Sequence, residues 1–232
     1  MNEGTGGTGM QEHTRAAAAP RGPVTLTAGQ EAALARLGFA LERPGSVAVL
    51  CGPAGTGTTG VLDRLEACAS RSCRVMRTSL RDWHDGAPVH SADLLIADDA
   101  HAATADTLGR FVRLVRTRDP ATRLVLAGRG RLFTLLSRDV GLESLVTLRA
   151  ILHPFSPEQT AAVLSTTCAA AGVPPDALAE CADTIHEIAG GIPATIVALA
   201  RVALVIRSSD PARRLVGEDI ELLHRRVSLD AA

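Results

Sequence analysis

A short apolar run, Ser46 to Cys51, leads without a break into Gly52-Pro53-Ala54-Gly55-Thr56-Gly57-Thr58-Thr59, and a helical pattern follows from Gly60 to Ala69. No other feature of the chain limits its fold as strongly. A buried strand that turns through glycines into a helix points backbone N–H groups and the positive end of a helix dipole at one spot, and an anion such as phosphate suits that spot. The spacing follows G-x-x-x-x-G-K-[ST], with Gly52 and Gly57 in the glycine positions and Thr59 in the hydroxyl position, where it can ligate Mg2+. Pro53, Ala54, Gly55 and Thr56 lie between the two glycines. Thr58 stands where the pattern has lysine, and the chain has no lysine at all: its 24 basic side chains are all arginine.

That exchange has a calculable consequence. A unit charge about 4 Å from a phosphate charge contributes roughly 4 kcal/mol at an effective dielectric of about 20. A threonine hydroxyl offers a hydrogen bond with a net contribution of about 1 kcal/mol. Affinity for a polyphosphate should fall, and the transition state of phosphoryl transfer would lose its nearest fixed counter-charge. The plainer reading of the loop alone is a glycine-rich strand-to-helix turn.

A second pattern narrows the choice. Leu94-Leu95-Ile96-Ala97-Asp98-Asp99 is an apolar strand ending in two acids. Asp98 is placed to hold Mg2+ through water, and Asp99 to polarise an attacking water, although it is one methylene shorter than glutamate. The plain alternative is a helix cap followed by a solvated loop. His101 follows closely, and a surface histidine at a helix start is its ordinary role.

The rest of the chain reads as strands alternating with helices, then helices only. Thr27 and Gln30 have capping-box spacing, and Glu31 to Glu42 sets Ala32, Leu34, Leu37, Phe39 and Leu41 on one side of a helix. Further strands are predicted at Cys73–Ser79, Asp93–Asp98, Thr122–Ala127 and Thr147–Leu152, with a polar loop from Asp82 to His90 that carries Trp83. Helices are predicted at Ala103–Thr117 and Arg131–Arg138. The alternation implies right-handed crossovers and a parallel sheet covered on both faces, with the strands at 46–51 and 93–98 side by side. Beyond Pro154 come helical patterns at Glu158–Ala171, Asp176–Ala189, Pro193–Ile206 and Gly217–Arg226, punctuated by Gly172, Gly190-Gly191 and Pro211. The expected organisation is a disordered tail over 1–24, an α/β core over 25–154 and an all-helical lid over 155–232.

Composition excludes some roles. A net charge of −1 and an aromatic content of 2% argue against a nucleic-acid platform, which would show a basic face or stacking surfaces. The apolar stretch Ile192–Ile206 contains Arg201 and is too short to span a bilayer. The five cysteines lack metal-finger spacing and read as reduced core thiols of a cytoplasmic protein.

The order of these pieces resembles the AAA+ ATPases, and more narrowly the ATPase domain of the general secretion pathway protein A family and the related transposition-helper ATPases. The likeness runs from about Thr25 to Ala200. It rests on Leu26-Thr27 and Ala40-Leu41-Glu42, Val47–Thr59, Leu94–His101, Leu126-Ala127-Gly128 with Leu132, Leu152–Ala162, and Ile188-Ala189-Gly190-Gly191-Ile192-Pro193. The resemblance implies bound ATP or ADP with Mg2+, protein partners and a homo-oligomer. It also locates departures. The lysine is Thr58, the catalytic glutamate is Asp99, the first sensor is Arg129, the second-sensor arginine is Ala194, and the Gln-Arg pair before the fifth strand falls on Ser144-Leu145. Three readings stay open: a nucleotide binder with slow or no hydrolysis, a working ATPase in which Arg129 replaces the lysine, and an interaction scaffold with an empty site.

Overall fold

The computed structural model describes residues 26–81, 83–84, 91–209 and 215–229. The expectations for the tail over 1–24, the start of order at Thr25, most of the 82–90 loop and Pro211 lie outside these residues. The chain begins with α1 (Ala28–Ala40), β1 (Val47–Cys51), α2 (Thr58–Ala69), β2 (Val75–Ser79) and β3 (Leu94–Asp98). A 3-10 turn (Ala100–Ala102), α3 (Ala105–Arg118), β4 (Arg123–Gly128), α4 (Arg131–Ser137), α5 (Val140–Leu145) and β5 (Val146–Ile151) follow. The helical end of the chain is α6 (Pro157–Ala170), a 3-10 turn (Ala179–Cys181), α7 (Ala182–Ala189), α8 (Pro193–Ser209) and α9 (Gly217–Leu229). The α/β core and the helical lid are both present. The short α5 was not foreseen, because a six-residue helix leaves almost no periodic signal.

The sheet order is β2-β3-β4-β1-β5, and every pairing is parallel. This corrects the expectation that strands 46–51 and 93–98 are neighbours. β4 stands between them, pairing Val49 with Leu126 on one side and Ile96 with Val125 on the other. An apolar run marks a strand but carries nothing about its partner; the length and packing of the crossover helices set the order.

Alternation along β1 shows how the sheet is covered. Val47, Val49 and Cys51 pack on one face with Leu95, Leu124 and Leu126, beneath Leu108, Phe111, Val112 and Val115 of α3. Ala48 and Leu50 pack on the other with Ile96, Val125 and Ala150, beneath α1 and α2. Thr104 caps α3 by accepting the Thr107 N–H at 3.1 Å.

The buried stripe of α1 is Ala33, Leu37 and Leu41, a spacing of four. Leu34 packs against the same cluster, so three of the five residues expected on this face lie on it, whereas Ala32 is exposed and Phe39 is 68% exposed. A third apolar cluster holds the lid together, with Leu164, Cys168, Cys181, Ile185, Ile196 and Ala200 at its centre. Cys51, Cys168 and Cys181 are buried as expected, and burial raises all three thiol pKa values. Cys68 is exposed on α2, not in the core. Among the described residues, no helix is long and apolar enough to cross a membrane.

Candidate functional site

In a parallel sheet all strands end on one edge, and ligands of such folds lie in the crevice beyond those ends. Here β1 ends at Cys51, β3 at Asp98 and β4 at Gly128. Every residue expected to touch nucleotide or metal therefore belongs to this edge or to the lid that meets it.

The loop from Gly52 to Gly57 is fixed from three sides. Its own turn is closed by Thr56, whose N–H and hydroxyl both donate to the Pro53 carbonyl, at 3.3 and 2.8 Å. From α1, Gln30 Nε2 donates to the Thr56 carbonyl at 2.9 Å, while Gln30 Oε1 accepts the Thr27 N–H at 3.0 Å. The capping glutamine thus also anchors the loop, a role that capping-box spacing alone does not disclose. From the lid, the Ala194 N–H donates to the Gly55 carbonyl at 3.2 Å. Gly57 has φ +94°, and any Cβ there would run into the Gln30 amide. Gly55 has φ +84°, and its Cβ would lie 2.8 Å from Ile192 Cγ2 and 3.0 Å from Ala194 Cβ. Both positions thus need glycine for conformation and for space.

Bending the chain this way leaves donors over. Among the described residues, the N–H groups of Gly57, Thr58, Thr59 and Gly60 have no protein acceptor. They open the 12-residue α2, whose dipole points its positive end the same way. Pro53 and Ala54 are exposed on the loop, Thr58 is half-buried at the first helical position, and the Thr59 side chain is exposed beside it. Donors converging in this way can take an anion without a lysine.

The acids at the end of β3 are engaged. Asp98 Oδ2 accepts from Arg77 Nη2 at 2.7 Å, and Asp98 Oδ1 accepts the Asp99 N–H at 2.8 Å. Arg77 sits on β2, and its Nη1 reaches Asp63 of α2 at 2.6 Å, with Glu66 at 3.8 Å. Burial works to lower the Arg77 pKa, but the hydrogen bonds and charges of Asp98 and Asp63 outweigh it and raise it. Asp99 is the one non-glycine at positive φ among the described residues, at +51°, and its Oδ2 lies 3.6 Å from Arg81 Nε. Both partners are substantially exposed, so that pair is weak. Neither Arg77 nor Arg81 was foreseen. An arginine in the middle of a short strand is a signal, since it demands a carboxylate, but the sequence does not say which one.

Because β4 lies between β1 and β3, the residue that follows it emerges between the glycine loop and the acids. That residue is Arg129, exposed and with no ion-pair partner among the described residues. The Gly128 carbonyl accepts the Gly52 N–H at 3.2 Å, and a Cβ on Gly128 would lie 3.0 Å from the His101 nitrogen. His101 is thus at the centre of the edge, with Nδ1 shut from solvent and without a partner among the described residues. Its pKa is lowered, first by burial and then by Arg129, Arg81 and Arg131, against the opposing charge of Asp99.

A depressed pKa keeps the folded imidazole neutral at pH values where the unfolded one already takes a proton. Its contribution to stability is full above the ordinary value of about 6.5 and is lost as pH falls through the folded value. In an NMR titration His101 is expected to protonate below that ordinary value. Arg129→Ala should move it upward and Asp99→Asn further down. A His101 pKa indifferent to both changes would mean that the edge is not assembled as described.

The residues carried over for catalysis in partnership fare differently. Ala194 brings no charge to the loop and meets it through its backbone. Ser144 donates to the Gly141 carbonyl at 2.8 Å, within α5, and Leu145 is 40% exposed.

The same architecture occurs in several solved structures. The Holliday junction branch migration motor RuvB of Thermotoga maritima matches with a TM-score of 0.61 and 18% identity, over 85% of this chain and 69% of that one. The ORC2 protein of Aeropyrum pernix, solved as ADPNP and ADP complexes, matches with a TM-score of 0.59 and 16% identity, over 85% and 67%. The ORC1 protein of the same organism, solved in complex with DNA, gives 0.59 and 21%, over 88% and 66%. No protein-family model matches the sequence, and no curated protein matches it significantly. At these identities the likeness establishes the fold: a P-loop sheet of the AAA+ type with a helical lid.

Proposed function

We propose that this chain, folded like the AAA+ ATPases, binds ATP or ADP at the loop Gly52–Thr59 and hydrolyses it slowly or not at all. The observation that carries this reading is the cradle of free N–H groups at the start of α2, intact although Thr58 has replaced the lysine. A chain that only needed a strand-to-helix turn would not require two glycines at positive φ clamped by Gln30 and by the lid. The ORC2 protein, which shares the fold and was solved as ADPNP and ADP complexes, supports a nucleotide as the ligand. We read 25–154 as the nucleotide core and 155–232 as the lid, with Asp99 in the place of the catalytic acid.

The weak-hydrolysis part rests on chemistry that is missing. Thr58 and Ala194 remove two fixed positive charges from the γ-phosphate region, and Leu145 removes a third from the surface a neighbouring subunit would present. Arg129 favours a second reading: an exposed guanidinium, without an ion-pair partner among the described residues and emerging between the loop and the acids, can reach the phosphates in place of lysine and sustain turnover. The docking of Ala194 on Gly55 suits the third, an interaction scaffold. The likeness of the motif order to general secretion pathway protein A and the transposition helpers points to protein partners and to self-assembly, and the near-zero net charge makes nucleic acid a poor partner.

Steady-state phosphate release separates the readings. The isolated chain is expected to turn over ATP far more slowly than on the order of 1 per second, the low end of ordinary enzymes. Release at or above that rate, abolished by Asp98→Ala, would replace the proposal with the active-ATPase reading.

A further inference from the structure

The acid of the second motif already has a cation. Asp98 gives one carboxylate oxygen to Arg77 at 2.7 Å and the other to the Asp99 N–H at 2.8 Å. The same guanidinium holds Asp63 at 2.6 Å, with Glu66 at 3.8 Å, so one positive charge is shared by three carboxylates. These carboxylates come from the helix that starts at the glycine loop and from the strand that ends at the acids. The Arg77 and Asp98 side chains are only 22% and 26% exposed. A doubly charged ion next to Asp98 would sit within a few ångströms of this guanidinium and would be repelled by it. Mg2+ keeps most of its water and needs ideal octahedral geometry, so a carboxylate already turned to a planar fork serves it badly.

We propose that Arg77 takes the place of the divalent cation at this site, so that the protein binds nucleotide without Mg2+. The inference rests on the nucleotide-binding reading for its ligand, but not for its metal. Arg77 occupies Asp98 as a standing ion pair and ties the end of β3 to α2, whereas a metal would do so only when nucleotide brought it. The ligand that fits such a site is the free nucleoside di- or triphosphate, its charge met by the α2 N–H groups and Arg129. Arg77 is a positioning residue: it touches Asp98 and α2, not the phosphates.

Two measurements on the whole chain test this. The first is a titration of Mn2+ followed by electron paramagnetic resonance, with no nucleotide present. Wild type is expected to show no site that Asp98→Asn removes. Arg77→Met, which leaves Asp63, Glu66 and Asp98 converging without a counter-charge, is expected to gain one. Arg77→Lys, which keeps the charge, should behave as wild type. A Mn2+ site in wild type that depends on Asp98 overturns the proposal, and this arm needs no folded Arg77 variant.

The second is calorimetric titration of ADP in excess Mg2+ and in excess EDTA. The wild-type affinities should agree within about twofold, and Arg77→Met should bind more tightly with Mg2+ than without. A wild-type affinity that rises by about tenfold or more with Mg2+ overturns the proposal. No ADP binding in either condition would sink the nucleotide reading and leave the Mn2+ titration to decide the role of Arg77.

Discussion

Thr58→Lys is expected to tighten ATP binding by about tenfold or more, because even ~1.4 kcal/mol of new charge interaction gives that factor. The substitution should be tolerated structurally. Thr58 is the first residue of α2 and half-buried at the mouth of the loop, where a long side chain can run outward. The loop itself is held by Gln30 and Ala194 rather than by Thr58, so the cradle should persist. Hydrolysis need not return, since Asp99 remains short of a glutamate and Ala194 still lacks a charge.

The same experiment discriminates against Arg129. If that guanidinium already meets the β- and γ-phosphates, a lysine at position 58 crowds a second cation into the same space and gains little. Arg129→Ala should then cause the large change. Calorimetry of wild type and both variants separates the cases, and no measurable binding in any of them would leave only the scaffold.

Phe111→Ala should be the most damaging single change to the fold considered for this protein. Phe111 is fully buried on α3, in the apolar cluster that also holds residues of β1, β3 and β4, the three strands whose ends form the site. Its ring also meets Trp83 edge-on, with centroids 5.3 Å apart. Removing a buried phenylalanine costs about 3–5 kcal/mol through lost transfer energy and the cavity left behind, and the loss of the aromatic pair adds to it. A domain of ordinary stability, about 5–15 kcal/mol, would lose a large part of its margin. Urea unfolding should show a midpoint displaced to lower denaturant with little change in slope. A shift below about 1 kcal/mol would mean that this face of the sheet is not packed as described, since surface substitutions have effects of that size or less.

The sequence by itself determined the elements and the loop. Apolar runs of five or six residues alternating with helical patterns are local, and so is the glycine spacing from Gly52 to Gly57, because φ at those positions depends on the residue and its immediate neighbours. The missing lysine was also legible, since it is a statement about identity at one position. The lid followed from the change of pattern after Pro154.

Only the tertiary structure decided which groups meet. That β4 lies between β1 and β3 is a property of how crossover helices pack, and it sends Arg129 out between the loop and the acids. Gln30 satisfies its capping role at a separation of three residues, but its bond to Thr56 spans 26 and has no local signature. The Arg77 network is the sharpest case. Asp98 at the end of an apolar strand reads as a metal ligand, and its chemistry changes once a guanidinium from β2, 21 residues away in the chain, is found on it. A half-buried charge takes the partner the fold brings to it, and the chain states only that a partner must exist.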